Sequence, residues 1–304
     1  MDSKSLYDLL KDEKRTNDKT LKFYVNNIQK IYNDFRKIDL SKLKIIELDE
    51  YFKNKKYSPH TIKNKLVSLN LYLDKMGVNN KLKDDIVDEI VLMSNTINNQ
   101  YSTHHKTEKE ETQMITKDEY KNMVDKYKKN IKAINNYKDY YDVLIYFIGL
   151  YHFYYPMRNE LADTKIYLLS DYKKLKDDDK KYNYLIINKK KKNMVFVMNN
   201  YKTKNTYGTI EYEINENDLY DTALKIYNFL SKNNNNNLMI KIDGTPFNRN
   251  DLTKLFKQKY GLSTSMLRKI FLSQMYDINK MENMGLIMGH SINTAINKYA
   301  KSDD

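Results

Sequence analysis

Gly285-Leu286-Ile287-Met288-Gly289-His290-Ser291-Ile292-Asn293-Thr294-Ala295-Ile296-Asn297-Lys298-Tyr299-Ala300 is the stretch from which the rest of the chain is read. A Gly-His-Ser turn opens a short helix, and nine residues after the histidine comes a tyrosine. A helix advances about 100° per residue. Ile292, Ile296 and Tyr299 are therefore expected on one face, with the tyrosine held inwards. With 28 tyrosines among 304 residues, a phenol at a prescribed position decides little, and an Ile/Ile/Tyr stripe is most often plain core. The weight falls on whether the chain supplies that phenol with partners.

Composition bounds the classes of function. A chain of 304 residues has room for one or two domains, each with a real core. Its 40% hydrophobic and 31% charged residues describe a soluble globular protein, and no apolar run reaches the roughly 18 to 20 residues of a membrane span. The opening Met1-Asp2-Ser3-Lys4 shows no secretory pattern, so an intracellular location and no membrane partner are expected. The absence of cysteine excludes a disulfide framework and thiolate metal sites, and five scattered histidines argue against a zinc centre. A net charge of +13 favours a polyanionic partner, nucleic acid first. Richness in Lys, Asn, Tyr and Ile also reads as AT-biased coding, a hint of a virus or mobile element. Against that drift only Arg15, Arg36, Arg158, Arg249 and Arg268 are arginine among 53 basic residues. Arginine is kept where a planar, bidentate fork meets an oxyanion, which singles out Arg158 and Arg268.

Residues 1–98 read as helical. Leu21, Val25, Ile28, Tyr32 and Phe35 form a helical stripe, and Leu48 to Phe52 is a short second helix. Ser58-Pro59 supplies an N-cap with proline at the first helical position, and the helix it starts ends at Gly77. His60, Lys63 and Lys65 lie off its apolar face. Leu82 to Met93 is one more helix. The polar run around residues 99–114 reads as an interdomain linker, with His104-His105 a solvated pair.

A second domain over residues 115–304 opens on Thr116-Lys117-Asp118-Glu119, a capping box. A buried helix from Asp139 to Phe153 stops at Pro156, directly before Met157-Arg158-Asn159-Glu160-Leu161. Tyr184 to Asn188, Asn193 to Met198 and Thr209 to Ile214 read as a three-stranded antiparallel sheet. The helix Leu219 to Ser231 leads into a loop at Asn233 to Asn237. Asn250 is expected to cap the helix Leu252 to Tyr260, and Ser263 or Thr264 the helix carrying Ser265-Met266-Leu267-Arg268.

In this order the second domain resembles the tyrosine recombinases of the phage-integrase type. Pro156 to Leu161 is similar to the first arginine box, and Tyr201-Lys202-Thr203-Lys204 falls on the hairpin that carries the family's lysine. Ser265-Met266-Leu267-Arg268 is similar to the His-x-x-Arg box with serine in the first place, 22 residues ahead of Gly289-His290 as counted from the arginine. Tyr299 stands at the nucleophile. Glu160 is one position nearer the arginine than in the commonest form of the first box.

The resemblance implies a mainly α protein: an N-terminal helical DNA-binding domain and a mainly α catalytic domain with a small sheet, closing on duplex DNA. It implies homotetramers on two DNA segments, with a monomer or dimer when free. Five residues follow Tyr299, so no long exchanged tail is expected. Arg158 and Arg268 would meet charge developing on the phosphate oxygens without a metal. Tyr299 would attack, Lys202 or alternatively Lys204 would protonate the leaving oxygen, and His290 would bind a phosphate oxygen or position Tyr299. Ser265 can hydrogen-bond a phosphate but cannot exchange protons near neutrality. No nucleotide or metal cofactor is required. Two rivals remain open: a type IB topoisomerase, and a DNA-binding protein of the same fold with weakened catalysis. Target sequence, and integration against excision or resolution, are not legible.

Overall fold

Apolar residues at helical spacing account for most of the chain. The structure, a computed structural model, describes residues 2–11, 17–36, 38–102, 105–176, 180–274 and 278–301. The chain divides into two compact units, Met1–Thr103 and His104–Asp304. Arg15 and His104 lie outside the described residues.

The first unit is built from α1 (Ser3–Leu10), α2 (Asp18–Asp34), α3 (Ile45–Asn54), α4 (Pro59–Lys75) and α5 (Lys81–Ser102). Ser58 caps α4 by accepting the Thr61 amide, and Pro59 takes the first turn, where its missing N–H costs nothing. Leu21, Val25, Ile28 and Ile31 of α2 interlock with Leu66, Leu69 and Leu73 of α4 in one apolar core. Lys65, read as lying off the apolar face, is nonetheless buried. It is 3% exposed, its ammonium lies 5.2 Å from the Tyr57 ring centroid, and it has no hydrogen-bond partner among the described residues. α5 runs on through Ser102, into the stretch read as a linker. Ile97 buries against the unit and the Tyr101 hydroxyl meets His60 Nε2 at 3.0 Å, anchoring a tail that is polar on its other faces.

The second unit begins with α6 (Glu108–Gln113), a helix within the same expected linker. Its cause is a capping box: Thr107 accepts the Glu110 amide and Glu110 reaches back to the Thr107 amide. The same device starts α7 (Lys117–Lys128) at Thr116 and Glu119. Next comes α8 (Tyr137–Tyr154), apolar on all sides and buried from Val143 to His152. Tyrosine hydroxyls from its surroundings end on its carbonyls, Tyr260 on Ile145 at 2.7 Å and Tyr120 on Gly149 at 3.0 Å.

Gly149 is where α8 is crossed most closely. A Cβ there would sit 2.3 Å from the Tyr260 hydroxyl and 3.0 Å from Val124 Cγ2. Overpacking of this kind costs about 1–3 kcal/mol. Gly149→Ala should therefore lower stability by that amount in urea unfolding despite alanine's better helix propensity, and an unchanged midpoint would show that the Tyr260 ring can move aside.

A four-stranded sheet follows, in the order β1 (Thr164–Leu168), β2 (Asn183–Asn188), β3 (Asn193–Met198) and β4 (Ile210–Ile214). The three expected strands pair antiparallel, and β1 adds to β2 in parallel. The expected three-stranded sheet is thus corrected to four. The asparagine tract read as a loop lies along the outer edge of β1. Ile166 donates to the Asn236 carbonyl at 2.8 Å and Leu238 to that of Thr164 at 2.9 Å. Backbone amides are satisfied there by a segment with no strand signature of its own.

The remaining helices are α9 (Leu169–Tyr172), α10 (Lys204–Tyr207), α11 (Asn217–Lys232), α12 (Arg249–Tyr260), α13 (Thr264–Ser273), α14 (Ile278–Ile287) and α15 (Ile292–Thr294). The cap of α12 is Asn248, two residues before the expected Asn250, paired with Asp251 in a further capping box. Ser263 caps α13. The fold is mainly α with a small sheet, and no helix of the described residues is long and apolar enough to cross a membrane.

Candidate active site

Three breaks in regular structure and one helix turn converge on one place. The first is the end of α8, where Pro156 stops the helix and Arg158 precedes a 3₁₀ turn over Asn159–Asp163. The second is the second turn of α13, which carries Arg268. Leu267, Ile270 and Phe271 hold that helix in the core, and Arg268 is drawn in with them to 3% exposure. The third is the turn before α10, which holds Lys202. The fourth is Gly289-His290 and the segment behind it.

Gly289 terminates α14 with a left-handed residue at φ 69°. Its amide returns to the Leu286 carbonyl at 2.8 Å and that of His290 to Gly285 at 2.9 Å, a paired termination that glycine alone makes without strain. A Cβ on Gly289 would also press to 3.1 Å on the Tyr201 ring. The freed Gly289 carbonyl accepts from Thr203 Oγ1 at 2.6 Å and from Arg158 Nη1 at 3.3 Å. One carbonyl thus joins the arginine box, the lysine turn and the histidine box.

Ser291 then caps α15 through the Thr294 amide, and the chain widens into a π-helical turn over Ala295–Tyr299, closed by Ala300 N donating to the Ala295 carbonyl at 3.0 Å. The expected Ile292/Ile296/Tyr299 face is replaced. Ala295 is the residue buried, and those three are half-buried. An i→i+5 turn breaks the 3.6-residue arithmetic; such turns are rare and frequently lie at functional sites.

The Tyr299 ring stacks on the His290 imidazole, with centroids 5.0 Å apart and planes 11° off parallel. Arg268 Nη2 donates to the Tyr299 hydroxyl at 3.3 Å, and its guanidinium carbon lies 5.1 Å from the ring centroid. The same guanidinium donates to Ser265 Oγ at 3.1 Å and to the Met157 carbonyl at 3.4 Å, leaving Nε without a partner among the described residues. Burial raises the Tyr299 phenol. The charges of Arg268 and Arg158 and their hydrogen bonds outweigh it, and the phenol lies below its ordinary pKa. Burial pulls Arg268 down, with the Tyr299 oxygen opposing.

Lys202 is exposed and its ammonium has no partner among the described residues, whereas Lys204 is half-buried at the start of α10. The loop before them is clamped by two residues that sequence reasoning did not place. Asn183 Oδ1 accepts the Asn199 and Asn200 amides at 2.9 and 2.7 Å. Arg249 donates through Nη2 to the Asn200 carbonyl at 3.0 Å and through Nε to Asp163 at 2.5 Å. For Arg249 the signal was present in the scarcity of arginine. Asn183 carried none. Glu160, 3% exposed, has its carboxyl raised by burial, with Arg249, Arg158 and Arg268 pulling the other way. Among the described residues no group of three or more His, Cys, Asp or Glu is placed to hold a metal ion.

Two buried imidazoles carry a pH signature. Burial holds both His290 and His152 at a pKa of about 4, with Arg268 adding to it in each case and Arg158 at His290. A folded pKa depressed below the unfolded value near 6.5 means that the unfolded chain takes up the proton first. Stability is full above about pH 6.5 and is lost as pH falls towards 4, at up to about 1 kcal/mol per pH unit for each histidine. Urea unfolding between pH 7 and pH 4.5 should show that slope, and His290→Gln should make it shallower. An identical slope in the variant would mean that His290 takes up its proton as readily in the folded protein as in the unfolded chain.

No family model matches the chain, and no curated protein matches it. Among solved structures it is similar to the crystal structure of XerA recombinase, at 14% identity and a TM-score of 0.42, covering 99% of this chain and 94% of that one.

Proposed function

We propose that the chain is a tyrosine recombinase that cleaves and rejoins duplex DNA through a 3′-phosphotyrosyl intermediate. One observation carries this: the Tyr299 hydroxyl takes a guanidinium N–H from Arg268 and lies within the field of Arg158, so a phenol is paired with two fixed cations at a half-open surface. A phenolate stabilised in this way is a nucleophile, and the same guanidiniums suit the non-bridging oxygens of the phosphate it attacks. The Tyr299 phenol gives its proton to solvent, its oxygen bonds to phosphorus, the bond from phosphorus to the 5′ oxygen breaks, and that oxygen takes a proton. Lys202, exposed and on a clamped turn, is our choice for the donor, with Lys204 two residues on as the alternative. Attack by a 5′ hydroxyl of a second strand reverses the step, so no cofactor is consumed. His290, neutral near pH 7, orients the phenol by stacking. Ser265 stands where the family has histidine, and its hydroxyl holds the Arg268 fork. The working assembly is a tetramer on two duplexes.

The test starts from DNA the protein selects out of a random duplex pool, made into a substrate nicked just downstream of the cleavage position so that the short fragment bearing the 5′ hydroxyl is lost. Covalent adduct with the wild-type protein supports the enzyme. Stable binding with no adduct supports the rival, a DNA-binding protein that has lost its chemistry. Plasmid relaxation without joining between two duplexes supports a type IB topoisomerase.

A further inference from the structure

Resting on that reading, we propose that Glu110 and Lys301 form a clasp that positions Tyr299 for attack. Lys301 stands two residues beyond the nucleophile, and its side chain is 3% exposed. Its ammonium donates to the His105 carbonyl at 3.2 Å and lies 4.0 Å from Glu110 Oε2. Its amide donates to Ser273 Oγ at 2.7 Å, and that hydroxyl donates to the Tyr299 carbonyl at 3.3 Å. Glu110, also 3% exposed, gives its other oxygen to the ammonium of Lys269, the residue that follows Arg268. One buried carboxylate on α6 thus ties the helix of the arginine to the turn of the tyrosine.

The energetics favour positioning over stability. Three long side chains lose their freedom, Glu110 and Lys301 lose their water as well, and two ammoniums face a single carboxylate. Apolar residues of the same volume would fill this space at less cost. What the ions add is direction. An apolar side chain would let the π-helical turn slide, while a buried ammonium held by a carboxylate and a carbonyl fixes the backbone two residues after the phenol. Glu110 is itself fixed, since Oε2 accepts the Thr107 amide at 2.8 Å and the Thr107 hydroxyl at 3.0 Å.

The experiment places 3-fluorotyrosine at position 299 of the full-length chain and follows its fluorine resonance against pH, beside adduct formation by the unlabelled protein on its selected nicked duplex. Lys301→Met and Glu110→Gln should move the Tyr299 titration upwards towards that of free 3-fluorotyrosine and slow adduct formation at least tenfold. Lys301→Arg should keep both near wild type. Glu110→Gln retains an oxygen for Thr107, so α6 survives it, and this variant carries the test should Lys301→Met fail to fold. Unchanged titration and unchanged adduct rate in folded Glu110→Gln would overturn the clasp while leaving the enzyme reading intact. A wild type that forms no adduct overturns the enzyme reading instead, and the fluorine titration still decides whether the clasp holds the phenol beside the guanidiniums.

Discussion

Replacing Tyr299 with phenylalanine should abolish the covalent protein–DNA adduct, a loss of at least about a thousandfold measured as trapped product on a nicked duplex. The variant is a narrow one. Phenylalanine keeps a ring to stack on His290 at 5.0 Å and a face for the Arg268 guanidinium at 5.1 Å, so the fold around it stays as it is. What disappears is the oxygen that accepts from Arg268 Nη2. On the proposed reading DNA affinity should change little, because a chain of net charge +13 would draw it from many lysines rather than from this phenol. Adduct that survives in Tyr299→Phe would move the nucleophile to another of the tyrosines and undo the proposed chemistry.

Arg268→Met should lower the rate of adduct formation by about 10² to 10³, the usual consequence of removing one fixed donor from a developing oxyanion, about 3–4 kcal/mol. It should do so without destabilising the protein. Arg268 is buried to 3% exposure and leaves Nε unpartnered among the described residues, an arrangement that costs folding free energy, and methionine fills the same space without a charge. Lysine is expected to do little better than methionine in the assay. The guanidinium reaches the Met157 carbonyl, Ser265 and Tyr299 in three directions at once, which a single ammonium cannot do. Equal thermal stability with lost activity is the predicted pair of results. A large fall in stability instead would assign Arg268 to the scaffold.

Much of the fold was legible because its causes are local. A cap acts within three residues, so Ser58-Pro59 and Thr116 with Glu119 could be read directly and the structure agrees with them. Runs of Ile, Val, Phe and Tyr marked three strands because the alternation lies in the chain itself. The capping box at Thr107 and Glu110 was equally local, but the surrounding charge suggested a linker. The scarcity of arginine drew attention to Arg158 and Arg268 before any coordinate did.

The sequence by itself therefore determined a mainly helical chain with a small sheet, where most helices begin, and which rare residues were worth following. Only the tertiary structure decided that β1 joins the sheet, because a five-residue parallel strand is stabilised by β2 and by the Asn236–Leu238 edge, both distant in sequence. Only it decided that Lys65 and Lys301 are buried, that Asn183 and Arg249 clamp the lysine turn, and that Tyr299 sits on a widened turn. The physical reason is common to all of these. Burial, hydrogen bonds across long separations and the depressed phenol of Tyr299 depend on neighbours that folding brings together, and no residue carries its neighbours in its own identity.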